Sequence, residues 1–286
     1  MISQKMQSLV QNSSVIRAMF EEGNRLTKIY GPENVFDFSI GNPSVAPPEQ
    51  IRQAIIDIAQ EENPLQLHGY MNNSGYEEVR QAIAEHLNAQ HGCALSCRDI
   101  VMTCGAAGGL NVILKTLLNP GDEVLVPEPF YANYNGFAME AGVNIKPISS
   151  TIANDFALPP MEEFERLITT RTKAILICNP NNPTGYVYSE QEYEQLKNIV
   201  LKHDLYLMAD EVYREFCYDG TKCISVMNLK GVEQNVVMID SVSKRYSECG
   251  IRIGALITKN RALHDAVMKF CQARLSPPLV GQIVAE

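Results

Sequence analysis

From residue 100 onward, short apolar runs alternate with stretches of helical spacing, and this alternation limits the fold more than any other feature of the chain. Ile100 to Thr103, Glu123 to Val126, Ala174 to Cys178, Leu205 to Met208 and Val236 to Asp240 are short runs that read as strands. Between them, Leu110, Ile113, Leu114 and Leu117 fall on one helical face, and a further helix is predicted near Glu190 to Lys202. Such alternation predicts βαβ units and a mainly parallel sheet between helical layers, a three-layer α/β/α architecture. Open sheets of this kind place ligand chemistry in the loops just past the carboxyl ends of their strands.

The 286 residues suffice for one large core or two ordinary ones. A formal net charge of -9 argues against binding nucleic acid through phosphate neutralisation, so an anionic ligand needs a local basic patch. No apolar run approaches the roughly 20 residues that a membrane helix needs. Met1 to Phe20 lacks the charged-then-apolar order of a signal peptide; a cytoplasmic location with no membrane partner is the expectation. The eight cysteines are scattered, and although Cys93 and Cys97 stand close, no second pair completes a metal site. They are expected to be reduced and to serve packing.

Residues 1 to about 30 read as an amphipathic helical arm, with Val15, Ile16, Met19 and Phe20 at helical spacing. Ile40-Gly41-Asn42-Pro43 then breaks the run that follows Val35. The expected division is an N-terminal arm over 1–44 and one large domain over 45–286. A helix through Ile51, Ile55 and Ile58, and another from near Tyr76 carrying Val79, Ile83 and Leu87, flank the polar loop that contains Tyr70 and Gly75.

The loops carry the chemistry. Lys244 follows the strand ending at Asp240, among Ser241 and Ser243, with Arg252 eight positions on. A lysine in such company suits a cofactor bearing an aldehyde and a phosphate: the amine would form a Schiff base, and Ser241, Ser243 and Arg252 would take the phosphate. Gly105-Ala106-Ala107-Gly108-Gly109 opens a helix with small residues, which leaves backbone N–H groups free for an anion or permits close packing. It is not Gly-x-Gly-x-x-Gly, so a dinucleotide site is not indicated. Two Asn-Pro steps within Asn179 to Gly185 force an irregular backbone that presents Asn182. Asp210 stands past a strand, either as a helix cap or as a functional carboxylate. Tyr70 and Tyr131 are packing residues or ligand contacts.

Together these stretches resemble the fold type I pyridoxal 5'-phosphate (PLP) enzymes, in particular the class I/II, aspartate aminotransferase-like group. The resemblance implies the large PLP-binding domain with an N-terminal arm. It also implies residue roles: Lys244 holds the cofactor aldehyde, Asp210 keeps the pyridine nitrogen protonated, and Asn182 and Tyr213 bond its phenolic oxygen. Gly105, Ala106 and Ala107 lend amides to the phosphate beside Ser241, Ser243 and Arg252, while Tyr131 stacks on the ring. Gly41 lets backbone approach the substrate carboxylate, and Asn182 is also placed among the substrate contacts. The family's Tyr-x-x-x-x-Gly pattern matches Tyr70 and Gly75, which implies a homodimer in which Tyr70 reaches the neighbouring site. The implied reaction is transamination between an amino acid and a 2-oxo acid, aspartate being the first guess and aromatic amino acids or alanine next. A lyase of the same fold shares these residues. A PLP-sensing regulator would need a basic DNA-binding segment, and residues 1 to 34 are too short for one.

One departure stands out. The chain stops at Glu286 inside a helical run with no stop signal, before the small domain that supplies the family's carboxylate-gripping arginine. The expectation is a truncated sequence lacking that domain, which binds PLP weakly and transaminates poorly, or else an inactive PLP-binding fragment. Arg274, before Leu275-Ser276-Pro277-Pro278, is either a contact for a substrate side chain or a surface arginine, and the second is the expectation.

Overall fold

The computed structural model describes residues 2, 3, 6, 7, 15–61 and 63–286. The chain divides into two units, Met1–Val45 and Ala46–Glu286. In the first, helix α1 (Val15–Tyr30) ends at Gly31, whose φ of 85° needs no Cβ and whose N–H closes on the Thr27 carbonyl at 3.0 Å. Met19, Phe36 and Phe38 of this unit are exposed. Most of residues 1 to 14, where the arm was also expected, lie outside the described residues.

The second unit begins with helices α2 (Glu49–Glu61), α3 (Pro64–Leu67) and α4 (Glu77–His91). Strand β1 (Ile100–Cys104), helix α5 (Gly105–Leu117), β2 (Glu123–Glu128), α6 (Asn133–Ala141) and β3 (Asn144–Ser149) follow. Then come α7 (Met161–Leu167), β4 (Thr172–Cys178), α8 (Glu190–His203), β5 (Tyr206–Asp210), β6 (Val236–Ser241) and the single turn α9 (Val242–Arg245). Strand β7 (Ile253–Ile257), α10 (Arg261–Arg274) and α11 (Leu279–Ala285) complete it.

The seven strands form one sheet in the order β1-β7-β6-β5-β4-β2-β3. Strand β2 pairs in parallel with β3 and β4, β4 with β5, and β5 with β6, while β7 runs antiparallel between β6 and β1. The reversal at β7 has a simple cause. Only α9 and a loop separate it from β6, and a parallel return needs a full crossover, usually a helix. Consequently β1 points the same way as β6, and the carboxyl ends of β1, β2, β4, β5 and β6 gather along one edge.

Alternate residues face opposite cores. Val236 and Met238 join Ile175, Ile177 and Leu207 in a core covered by α4, α7 and α8 through Leu87, Phe164 and Leu196. Val237 and Ile239 join Leu176 and Met208 in the other, covered by α5, α6 and α10 through Leu110, Tyr134 and Val267. Burial on both faces explains why these strands read as continuous apolar runs. Two boundaries differ from expectation: Asp210 is the last residue of β5 rather than past it, and Lys244 lies in the turn α9 rather than in an open loop. The eight cysteines are all free thiols; Cys93, Cys178 and Cys271 are buried and Cys104 is exposed. Among the described residues no helix is long and apolar enough to cross a membrane.

Candidate active site

The ends of β1, β6 and β7 build a corner suited to an anion. Gly105, at φ 67°, donates its N–H to the Arg252 carbonyl at 3.0 Å. A Cβ on Gly105 would come within 2.8 Å of the Arg252 guanidinium carbon, and one on Gly254 would come within 2.8 Å of the Ala106 nitrogen and the Asp240 carbonyl. These two glycines therefore let the start of α5 lie against both the arginine and the strand bearing the lysine. The first turn of α5 has no side-chain cap; the Gly105 N–H is taken by the Arg252 carbonyl, and the N–H groups of Ala106 and Ala107, at the positive end of the helix dipole, suit an anion. Arg252 is held by bonds to the carbonyls of Cys249 (2.9 Å) and Cys104 (3.4 Å). It adopts φ 61°, a left-handed conformation unusual for a residue with a Cβ.

Beside this corner, Ser241 Oγ donates to the Ile253 carbonyl at 2.7 Å, accepts the Ser243 N–H at 3.1 Å and lies 2.8 Å from Ser243 Oγ. The serine thus caps the turn that presents Lys244. Lys244 is half-buried, and its Nζ donates to Cys249 Sγ at 3.8 Å, a thiol that itself donates to the Ser243 carbonyl at 3.2 Å.

Asp210 is 4% exposed at the end of β5. Tyr134 donates to its Oδ2 at 2.8 Å and the Val212 N–H to its Oδ1 at 3.4 Å. Burial pushes its carboxyl up to about 6, although these two bonds pull the other way. A cation placed beside it would be strongly favoured. Asn182 Nδ2 donates to the Tyr213 hydroxyl at 3.4 Å, so the loops after β4 and β5 bring an amide and a phenol together. Burial, followed by Cys178, Asp210 and Tyr131, raises Tyr213 to about 12. Tyr131 packs edge-on to Tyr134 with centroids 5.5 Å apart and keeps 36% of its surface exposed, a face available for stacking. Burial also raises the Tyr131 hydroxyl, with Asp210 among the causes.

Lys244, Asp210, Tyr213, Asn182, Tyr131, Ser241, Ser243, Arg252 and the Gly105–Ala107 turn thus meet on one edge of the sheet. Tyr70 does not join them: it is 86% exposed on the loop before α4. Gly41 belongs to the other unit. Arg274, half-buried, donates to the carbonyls of Asn73 (3.1 Å) and Met102 (3.0 Å), fastening the Tyr70 loop to β1. Sequence reasoning also missed three supports. Tyr134 was hidden beside the more conspicuous Tyr131. Asn179, fully buried, donates to the Tyr193 hydroxyl at 2.9 Å and accepts the Tyr188 N–H, which sets the course of the Asn-Pro loop. Gln282, also fully buried, accepts the Tyr76 N–H and donates to the Pro278 carbonyl.

Residues 33–286 match the family described as aminotransferase class I and II. The chain is 31% identical over 246 residues to the aromatic-amino-acid aminotransferase 2 of Thermococcus litoralis, covering 86% of this chain and 60% of the relative. It is likewise 31% identical to the aspartate aminotransferase of Pyrococcus abyssi, covering 85% of this chain and 60% of the relative. The crystal structure of an amino transferase from Eubacterium rectale superposes with a TM-score of 0.89 at 31% identity, over 99% of this chain and 74% of that one. The chain spans between 58% and 64% of the length of the first curated relatives it matches.

Proposed function

Because the chain belongs to the class I and II aminotransferase family, we propose that it moves an amino group between an L-amino acid and a 2-oxo acid with pyridoxal 5'-phosphate as cofactor. The observation that carries this is the Gly105–Arg252 corner beside the Lys244 turn: uncapped amides, a guanidinium and two hydroxyls next to one amine. That donor set fits a phosphate and an aldehyde on one small molecule.

Arg252, Ser243 and the amides of Ala106 and Ala107 hold the phosphate, while the Gly105 N–H and the Ser241 hydroxyl, given to the Arg252 and Ile253 carbonyls, shape the corner around it. Lys244 supplies the amine for the aldehyde carbon, Asn182 and Tyr213 bond the phenolic oxygen, and Tyr131 covers the ring. Asp210 holds a proton on the pyridine nitrogen, its burial making the ion pair strong. When bound, PLP supplies an electron sink for the negative charge that develops at the substrate Cα. Lys244 Nζ moves the proton at that Cα, and its attachment to the turn α9 supplies proximity. Asn182 is also assigned a contact with the substrate.

Residues 1–44 serve as an arm and 45–286 as the large cofactor-binding domain of a cytoplasmic homodimer, in which Tyr70 reaches the neighbouring phosphate. The exposed tyrosine ring supports this. Aspartate is the first substrate to try, in keeping with the names of several relatives.

The test is visible absorbance of the purified chain with added PLP, then titration with aspartate, glutamate, alanine and phenylalanine. A band absent from Lys244→Ala and bleached by one amino acid, with 2-oxo acid formed, is the expected result. Absence of a lysine-dependent band, or release of free ammonia with the oxo acid as from a lyase, would overturn it.

A further inference from the structure

Two residues of the site, Tyr213 and Lys244, are each followed in sequence by an arginine, Arg214 and Arg245. Both arginines turn to the same carboxylate. Arg214 Nη2 donates to Asp240 Oδ2 at 2.9 Å, and Arg245 Nη2 to Asp240 Oδ1 at 2.8 Å. Glu215 closes the figure: its Oε1 lies 3.6 Å from Arg214 Nε and 3.8 Å from Arg245 Nε. The result is a ring of alternating charge, Asp240–Arg214–Glu215–Arg245, with Glu211 flanking Arg214 at 3.7 Å.

The ring is deeply set. Side-chain exposure is 0% for Arg214, 6% for Asp240, 8% for Arg245 and 33% for Glu215. Burial alone would raise the Asp240 carboxyl, yet Arg214 and Arg245 hold it below its ordinary value. Strand alternation places Asp240 with Val236 and Met238, on the opposite face of β6 from Val237 and Ile239. Charges buried this far cost about as much in lost hydration as their attraction returns, so net stability is a poor reason for such a ring. Its placement suggests another. It joins the loop after β5 to the turn after β6, each tie one residue from a site residue.

We infer that this ring positions Lys244 and Tyr213 relative to each other. It acts through the backbone of the turn α9 and of the loop after Asp210, and none of its four members touches the cofactor or substrate. The inference rests on the function proposed above for the meaning of that geometry, and on the structure alone for the tie itself.

The test uses the full chain with Arg245→Met, Arg245→Lys and Glu215→Gln. In protein without added cofactor, trace acetic anhydride labelling followed by peptide mass spectrometry reads the reactivity of the Lys244 amine across pH, with Lys222 as a surface reference. In PLP-loaded protein, the pH midpoint of the visible band and the rate of cofactor release are read. Arg245→Met should label Lys244 about fivefold faster and release PLP about tenfold faster, since small misplacements of a reacting group have effects of this size or larger. Arg245→Lys and Glu215→Gln should fall between it and the parent. Parent-like labelling, band midpoint and release in a folded Arg245→Met, with only a lower melting temperature, would overturn the inference. Should Arg245→Met not fold, Glu215→Gln decides by the same measurements. A parent chain with no lysine-dependent band sinks the proposed function and still leaves the labelling to decide the ring.

Discussion

Tyr134 donates its hydroxyl to Asp210 Oδ2 at 2.8 Å, across 76 positions of sequence and with both groups buried. It is the shortest hydrogen bond the structure gives to that carboxylate, the other being the 3.4 Å bond from Val212. Tyr134→Phe keeps the ring and removes the donor. It should cost about 2 kcal/mol of stability, as for a buried bond to an ionisable group, and raise the Asp210 carboxyl further. Urea unfolding and PLP titration check it; unchanged PLP affinity would show that the bond does not tune the carboxylate.

Gly105→Ala tests the anion corner. The new methyl would meet the Arg252 guanidinium, and the residue would keep a positive φ that costs about 1 kcal/mol or more for alanine. Phosphate and PLP affinity should fall about tenfold, by displacement of one charge-assisted contact. Gly121→Ala is the control, since it shares a positive φ but has open space around its Cβ. It should destabilise the chain without changing PLP affinity.

The pH dependence of stability follows from Asp210. Its carboxyl titrates at about 6 in the fold against 3.8 as a free side chain, so the folded state binds that proton more tightly. The associated stability is therefore fully present below 3.8 and lost as pH rises through about 6. In PLP-free protein, the stability difference between parent and Asp210→Asn should shift against the parent by about 2 kcal/mol between pH 4 and 7. Glu211, raised to about 7 mainly by burial, adds a slope of the same sign to both proteins and cancels in the difference. Bound PLP, with a protonated ring nitrogen beside the carboxylate, should flatten the shift. Urea midpoints at stepped pH, with and without PLP, measure it.

Much of this architecture was legible because buried parallel strands must be apolar on both faces, which marks β2, β4, β5 and β6 in the sequence. Strand β3 was not, since an edge strand holding Asn144, Lys146 and Pro147 shows no such run. The antiparallel course of β7 was not legible either, because strand direction depends on the connection rather than on composition. The bonds made by Arg274 were not legible for a related reason. Its residue type favours the surface, whereas carbonyls from Asn73 and Met102 converge on it only in the folded chain.

By itself, the sequence determined which residue types stand at which strand ends. Lysine with serines, asparagine between prolines, and aspartate after an apolar run are local patterns, and local patterns survive in one dimension. Only the tertiary structure decided what supports them. Tyr134 beneath Asp210, Gln282 against Tyr76 and Arg214 with Arg245 on Asp240 join segments from 26 to 206 positions apart, apart from the five-residue Arg245–Asp240 tie. Such pairings arise because a buried polar group must find its partner wherever the packed sheet and helices bring one within about 3 Å, and spacing along the chain carries no record of that.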